Sequence, residues 1–314
     1  TGPCLMNRLS IVLLSALTLM ASSSLASAQD AFADTADPKI TLPGLTEYAP
    51  ASEAGDSAAI RRTVRVQAAL TEAGEPLKYG LTWRIFHPAP DAEGKLPLLA
   101  TSEGGSAEFE FEPGDYFLHV AFGRAGVTKK LTVPRDGPIE TQHIVMEAGG
   151  LMLNAVSGID ARIPSSQLLF NIYKAEEGID GEQQLVVEDV KPNTIVRLNS
   201  GTYHIVSEYG SVNAVIRSDI RVEAGKLTEA VIQHRAAQLT LKLVSEPGGE
   251  AIADTAWSIL TSGGDVVSES VGAFPTIVLA EGEYTAIARN KNKVHQRDFT
   301  VVAGRNSDVE VLLN

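Results

Sequence analysis

The chain has 314 residues, with 39 acidic against 26 basic side chains and a formal net charge of −13 at pH 7. A surface of this sign repels the phosphates of nucleic acids and of anionic lipids, so we expect no nucleic-acid partner. The one cysteine, Cys4, lies near the start of the chain, which excludes a disulfide, a thiol nucleophile and a thiolate metal site from the rest of it.

Residues 1–28 have the pattern of a few upstream residues followed by an export signal. Arg8 supplies a positive charge, Leu9–Met20 is an uncharged apolar run, and Ala26-Ser27-Ala28 is a small-residue cleavage site. The apolar run is shorter than the about 20 residues that a membrane span needs. We therefore predict cleavage before Gln29 and a periplasmic or secreted protein that does not span the membrane.

Residues 29–61 are interpreted as an acidic, flexible leader. They are rich in acids, Ala, Ser and Pro, and such a composition buries too little apolar surface to offset the entropy of ordering. The apolar stretch 40–48 interrupts this leader. It could bind a groove on a partner, add to a sheet edge or pack on the first module. Its candidate binding residues are Ile40, Leu42, Leu45 and Tyr48.

The rest of the chain repeats three times. A strand-like segment recurs around the central aromatic residues Trp83, Phe170 and Trp257, at intervals of 87 and 87 residues. A second pattern, an apolar residue followed by x-x-Gly-x-Tyr, recurs as FEPGDY, LNSGTY and LAEGEY, with glycines at intervals of 87 and 81 residues. We predict three modules from these landmarks: residues 62–148, 149–236 and 237–314.

Within each repeat the hydrophobic pattern has a period of two. Ala107, Phe109 and Phe111 alternate with glutamates, which is typical of a strand with one wet face. Short runs rich in Val, Ile, Leu and Thr are separated by Gly, Pro, Asp and Asn, and no stretch has a convincing helical period. The predicted fold is all-β, with three tandem antiparallel Greek-key sandwiches of about seven strands each.

The recurrent tyrosines have a structural explanation. The glycine before each can adopt the positive φ of a tight turn, and the tyrosine ring can be buried while its hydroxyl finds a partner. Sandwich domains achieve this with a tyrosine corner, in which the hydroxyl bonds the backbone across the turn. We therefore interpret Tyr116, Tyr203 and Tyr284 as fold-determining rather than ligand-stacking, and the three central aromatics as core residues.

These landmarks resemble the carboxypeptidase-regulatory-like and transthyretin-like modules of exported bacterial proteins, which belong to the immunoglobulin-like sandwiches. The resemblance covers residues 62–314. It implies spacer, adhesion or sugar-binding roles and brings no catalytic motif with it.

The predicted boundaries are short. Four-residue joints at 147–150 and 235–238 separate the modules, and joints of this length favour a semi-rigid row of sandwiches over freely tumbling domains.

No constellation of catalytic residues is recognisable. The six histidines are not at metal-ligand spacing, and the acidic loops at Asp91 and Asp180 lack the ligand spacing of a calcium loop. We predict a non-enzymatic protein with no cofactor and no metal, although a hydrolytic carboxylate pair could not be picked from sequence alone.

The first module holds eight aromatic residues, where each of the others holds four. If Tyr116 faces the core, Phe117 and His119 face outward by strand alternation, with Phe86 nearby. This face could be a contact surface, or it could pack on the leader or the next module. We expect a scaffold or spacer that binds other exported or envelope proteins. The alternative is a binding module for envelope glycan or another exported protein, which uses this face and residues 40–48. The oligomeric state stays open.

Overall fold

A computed structural model of the chain describes residues 60–177 and 183–313. Most of these residues lie in β-strands, and their only helical segment is the short 3-10 turn Ser165–Gln167. The predicted all-β fold is therefore confirmed. The predicted export signal and the leader up to residue 59 lie outside the described residues.

The strands form three consecutive groups, which we call the first, second and third sandwich. The first contains β1 Arg62–Ala69, β2 Leu81–Phe86, β3 Leu98–Gly104, β4 Ala107–Phe111, β5 Gly114–Phe122, β6 Ala125–Val133 and β7 Gln142–Val145. The second contains β8 Ala148–Ser157, β9 Ala161–Arg162, β10 Leu168–Glu177, β11 Gln183–Val190, β12 Ile195–Asn199, β13 Gly201–Tyr209, β14 Val215–Val222 and β15 Leu227–His234. The third contains β16 Ala236–Val244, β17 Ala256–Thr261, β18 Val266–Val271, β19 Thr276–Ala280, β20 Gly282–Asn290, β21 Lys293–Val301 and β22 Ser307–Leu312.

Each sandwich pairs two sheets, and the order of the equivalent strands is the same in all three. The first sheets have four strands each, in the orders β3-β2-β5-β6, β11-β10-β13-β14 and β18-β17-β20-β21, and every pair in them is antiparallel. The second sheets have the orders β4-β1-β7, β12-β8-β15 and β19-β16-β22, and in the second sandwich the short β9 adds a fourth strand by pairing with β8. In each of these the first strand of the sandwich pairs in parallel with its last. The antiparallel prediction therefore holds except for one parallel pair per sandwich.

The central aromatics are core residues, as predicted. Trp83, Phe170 and Trp257 are at most 1% exposed, and each lies in a separate hydrophobic cluster. The Trp83 indole N–H donates to the carbonyl of Gly105 at 2.7 Å, and the Trp257 indole N–H donates to that of Gly272 at 3.0 Å. The buried indoles therefore keep their hydrogen bonds while their rings fill the space between the sheets.

The tyrosine corner is confirmed in all three copies. Each hydroxyl donates to the backbone carbonyl four residues earlier: Tyr116 to Glu112 at 2.9 Å, Tyr203 to Asn199 at 2.9 Å and Tyr284 to Ala280 at 3.0 Å. The positive φ that we expected of the preceding glycine occurs at Gly201 and Gly282 (152° and 158°) but not at Gly114. The hydroxyl bond is thus the invariant part of the motif.

Replacing Tyr203 by Phe should lower the free energy of unfolding by about 1 kcal/mol, because the bond to Asn199 is lost while the ring keeps its place in the core. Urea denaturation measures this difference. Tyr173→Phe is the matched control, since Tyr173 lies on the outward side of β10. An equal loss in both variants would contradict a special role for the corner.

Candidate functional site

The joints between sandwiches are shorter than expected. We predicted four-residue joints at 147–150 and 235–238, but β8 begins at Ala148 and β16 at Ala236. Only residues 146 and 147 therefore separate the first two sandwiches, and Arg235 alone separates the second from the third. The other expected linker residues, 148–150 and 236–238, are already paired in strands. All of these strands belong to one compact unit.

At the first joint, the hairpin between β5 and β6 contacts the end of β12. The Arg124 N–H donates to the Arg197 carbonyl at 3.0 Å, and the Arg197 guanidinium lies 4.5 Å above the centre of the Phe122 ring. A cation in this position is attracted by the face of the ring.

An asparagine spans the same joint. The Asn199 side-chain oxygen accepts from the Gly126 N–H at 3.1 Å. Its amide nitrogen donates to the carbonyls of Gly126 and Met146, at 3.3 and 3.1 Å. One half-buried amide therefore joins the β12 end, the hairpin and the connecting segment.

At the second joint, the hairpin between β13 and β14 contacts the end of β19. The Asn213 side-chain oxygen accepts from the Ala280 N–H at 2.9 Å, and its amide nitrogen donates to the Tyr284 hydroxyl at 2.9 Å. The corner tyrosine of the third sandwich is thus part of the joint as well as of its own fold. Arg235 and Glu281 add an ion pair at 2.5 Å on the surface beside it.

Both hairpins begin with a glycine that lies against the next sandwich. Gly123 follows Phe122 as Gly210 follows Tyr209, and both glycines have positive φ, 65° and 72°. A Cβ at Gly123 would lie 2.9 Å from the Arg197 Cβ, and a Cβ at Gly210 would lie 2.7 Å from the Val278 Cβ. Because carbon atoms do not pack this closely, each hairpin reaches its neighbour only without a side chain at this position.

A buried histidine, His234, is the last residue of the last strand of the second sandwich. His234 is fully buried, its Nε2 lies 2.7 Å from the Ser207 hydroxyl, and its Nδ1 has no hydrogen-bond partner. Its ring meets the edge of Tyr209 at 5.9 Å between centroids. Burial disfavours the charged imidazolium and lowers the pKa of His234 to about 4. The residue directly before the second joint is therefore neutral near pH 7.

The structure brings together part of the predicted binding face. Phe86 on β2 lies directly opposite Phe117 on β5, and both are half-buried on the side of the sheet that faces away from the core. His119 lies on the same face, with its Nδ1 2.9 Å from the Thr128 hydroxyl, and burial lowers its pKa. The predicted residues Ile40, Leu42, Leu45 and Tyr48 lie outside the described residues.

An edge residue that the sequence analysis missed extends this face. Leu98 on the edge strand β3 lies opposite Phe86 and is 53% exposed. Leu185 and Val266 occupy the corresponding edge positions of the other sandwiches, at intervals of 87 and 81 residues, and are also exposed. These intervals match those of the recurrent glycine and could have identified Leu98.

The described residues offer little for chemistry. Within 60–177 and 183–313, no group of three or more His, Cys, Asp or Glu residues could hold a metal ion, and no helix is long and apolar enough to cross a membrane. A cleft of about 420 Å³ lies beside the second joint. Its twelve lining residues include Gln167, Ser211 and Ser270 but none that ionises, so the cleft supplies no general acid or base.

The comparisons with known proteins concern the repeats and the fold. A family described as the Rhizobiales growth-associated tandem repeat domain matches residues 238–313, about a quarter of the chain. This match supports a chain of tandem β-sandwich repeats. It does not test the resemblance to carboxypeptidase-regulatory-like modules, which stays a prediction. None of the curated proteins matches.

Several solved structures are similar at low identity. The Bacillus anthracis TIE protein is 16% identical with a TM-score of 0.24, and the alignment covers 80% of this chain and 50% of that one. This chain therefore spans half the length of the TIE protein. A streptococcal ancillary pilin is 11% identical, with 81% and 99% covered and a TM-score of 0.26. BcpA, the major pilin subunit of Bacillus cereus, is 11% identical, with 81% and 100% covered and a TM-score of 0.22.

Gly210→Ala should lower the free energy of unfolding by about 2–4 kcal/mol, because the new Cβ adds crowding against Val278 to the strain of a positive φ. Gly94→Ala is the control. Gly94 has a similar φ of 77°, and a Cβ there would have nothing within 4 Å, so it should lose only about 1 kcal/mol. Urea denaturation of both variants gives the comparison, and equal losses would contradict the close contact.

Stability should fall as the pH decreases from about 6.5 to about 4. In this window the unfolded chain protonates His234 and the folded chain does not, so protons favour unfolding by up to about 3 kcal/mol. The pKa of His119 is also lowered by burial, so this residue likewise makes the stability fall as the pH decreases. Comparing the chain with His234→Gln by denaturation at several pH values isolates the first contribution. Parallel pH profiles for the two proteins would contradict it.

Proposed function

We propose that the protein is a non-enzymatic, exported scaffold of the bacterial envelope that holds its partners at a fixed separation. The observation that carries this proposal is the construction of the joints. Connections of one or two residues, closed by Asn199 and Asn213, restrict the sandwiches far more than a flexible linker would. The export pattern in residues 1–28 supports the location.

The family match and the sequence resemblance support the same role. A growth-associated tandem repeat domain matches residues 238–313, and this match supports a proposed role of the scaffold in growth. The resemblance to carboxypeptidase-regulatory-like and transthyretin-like modules favours a spacer or adhesion unit. Other exported or envelope proteins are the partners that we propose.

Distance measurements between spin labels test the scaffold. Cys4→Ser removes the native thiol, and pairs of new cysteines at Glu103, Arg217 and Arg305 place exposed labels in the three sandwiches. We expect narrow distance distributions in the native chain, and broad ones for the first pair after a Gly-Ser insertion that follows Met146. Native distributions as broad as those of the insertion variant would refute a rigid scaffold.

A second function is favoured by the outward face of the first sandwich. Leu98, Phe86 and Phe117 form an apolar row across three strands, and such a row can contribute to a binding surface for envelope glycan or an exported protein. The corresponding pair in the third sandwich is Leu260 and Thr285, which lacks aromatic rings.

A cross-linked pull-down from the native envelope separates the two functions. Phe117→Ala should release a partner that binds the aromatic row, while Thr285→Ala, the control at the corresponding position, should retain it. Deleting residues 29–60 tests the leader in the same way. If Phe117→Ala and deletion of 40–48 both leave every partner bound, the second function fails and the scaffold proposal is unaffected.

A further inference from the structure

The third sandwich carries a hairpin equivalent to those that form the joints. Asn290 pairs with Lys293 across the β20–β21 turn, as Phe122 pairs with Ala125 across the β5–β6 turn. Lys291 therefore occupies the position of Gly123. It adopts a positive φ of 46°, and it is exposed.

A second position of the same hairpin also carries a lysine where the joint-forming hairpins carry a small residue. Ala125 and its counterpart Ala214, whose carbonyl accepts from the Tyr209 N–H, are at most 4% exposed and belong to the hydrophobic clusters of their own sandwiches. Lys293 takes this position in the third sandwich and is exposed. The hairpin of the third sandwich thus presents two lysines where the joint-forming hairpins present glycine and alanine.

At the other end of the array, the first sandwich also differs from the joints, in the segment that would receive a hairpin. The carbonyl that accepts from the corner tyrosine belongs to Asn199 at the first joint and to Ala280 at the second, but to Glu112 in the first sandwich. Two residues earlier, Glu110 stands where Arg197 and Val278 receive the glycine hairpins. Both glutamates are exposed.

The residue after the corner carbonyl also differs. The Ser200 N–H donates to the Glu147 carbonyl at 2.6 Å, and the Glu281 N–H donates to the Arg235 carbonyl at 2.8 Å, so both joints are tied by the same backbone bond. The equivalent residue of the first sandwich is Pro113, which has no N–H. This bond cannot form at that end.

We propose that the two ends of the array are capped, by Lys291 and Lys293 at one end and by Glu110 and Glu112 at the other, so that neither end accepts a second copy of this chain through the joint surface. The proposal rests on the scaffold function and deepens it, because capped ends keep copies of the scaffold from joining end to end. Polar outer faces on terminal repeats serve this purpose in other repeat proteins.

Two physical effects make the caps work. The space between a hairpin and the next sandwich is too small for a Cβ, so Lys291 keeps the surfaces apart. Closing the joint would also strip water from Lys293 and Glu112, whose counterparts at the joints are buried or half-buried. Their opposite charges do not compensate, since a pair held apart in water contributes little.

Half-uncapped chains test the proposal directly. One variant carries Lys291→Gly and Lys293→Ala, and the other carries Glu110→Val and Glu112→Ala, so that each receives the residue types of the second joint. In sedimentation velocity each variant alone should keep the single-chain mass of the native protein. Their mixture should form a complex of twice that mass. A native chain that associates through its ends, or folded variants that form no complex, would overturn the proposal.

A lysine introduced at an internal joint gives an independent test of the proposal. Gly210→Lys should broaden the distance distribution between labels at Arg217 and Arg305, whereas Gly94→Lys, at an open position of similar φ, should leave it narrow. A narrow distribution in Gly210→Lys would overturn the cap. A distribution that is already broad in the native chain would instead refute the rigid scaffold, so the two failures are distinguishable.

Discussion

A glycine hairpin packed against the end of a strand is the contact that both joints share and on which the array depends. The strand end is itself fixed by the tyrosine corner, because the carbonyl that accepts from the tyrosine belongs to the segment that the hairpin meets. At the second joint the coupling is direct, since Asn213 donates to the Tyr284 hydroxyl. The fold of each module and the joint before it therefore use the same group, and loosening one loosens the other.

Each joint contains one bridging asparagine. It lies on the strand at the first joint and on the hairpin at the second. At the first joint Asn199 reaches from the strand back to the hairpin, where its amide bonds the backbone N–H and carbonyl of Gly126. At the second joint Asn213 reaches from the hairpin to the strand, where its side-chain oxygen accepts from the Ala280 N–H. Without either asparagine, a backbone N–H at the joint would lose this side-chain partner. The two joints therefore use different side-chain pairings for the same contact.

The sequence predicts what depends on local pattern. The corner tyrosines and the buried aromatics could be identified because each stands in a recognisable strand or turn and recurs at a fixed interval. The parallel strand pairs could not, because alternation of apolar and polar residues carries no strand direction. The sequence marks Gly123 only as a turn residue, because its contact with Arg197 comes from a distant part of the chain. Leu98 escaped because a register irregularity between Ile85 and Phe86 interrupts the alternation where its strand begins.

Charge is distributed along the array according to what each position must bury. The positions enclosed at the joints carry glycine, alanine, valine, methionine, an amide or the neutral His234, because an unpaired charge cannot be desolvated without a large cost. The charged residues that do occur there keep contact with water. Arg197 remains exposed while it covers Phe122, and Arg235 pairs with Glu281 at the surface. At the equivalent end positions the described residues are exposed lysines and glutamates. The same positions of the repeat can therefore form a joint or prevent one. Which of the two occurs depends on whether the side chain at that position would have to lose its contact with water.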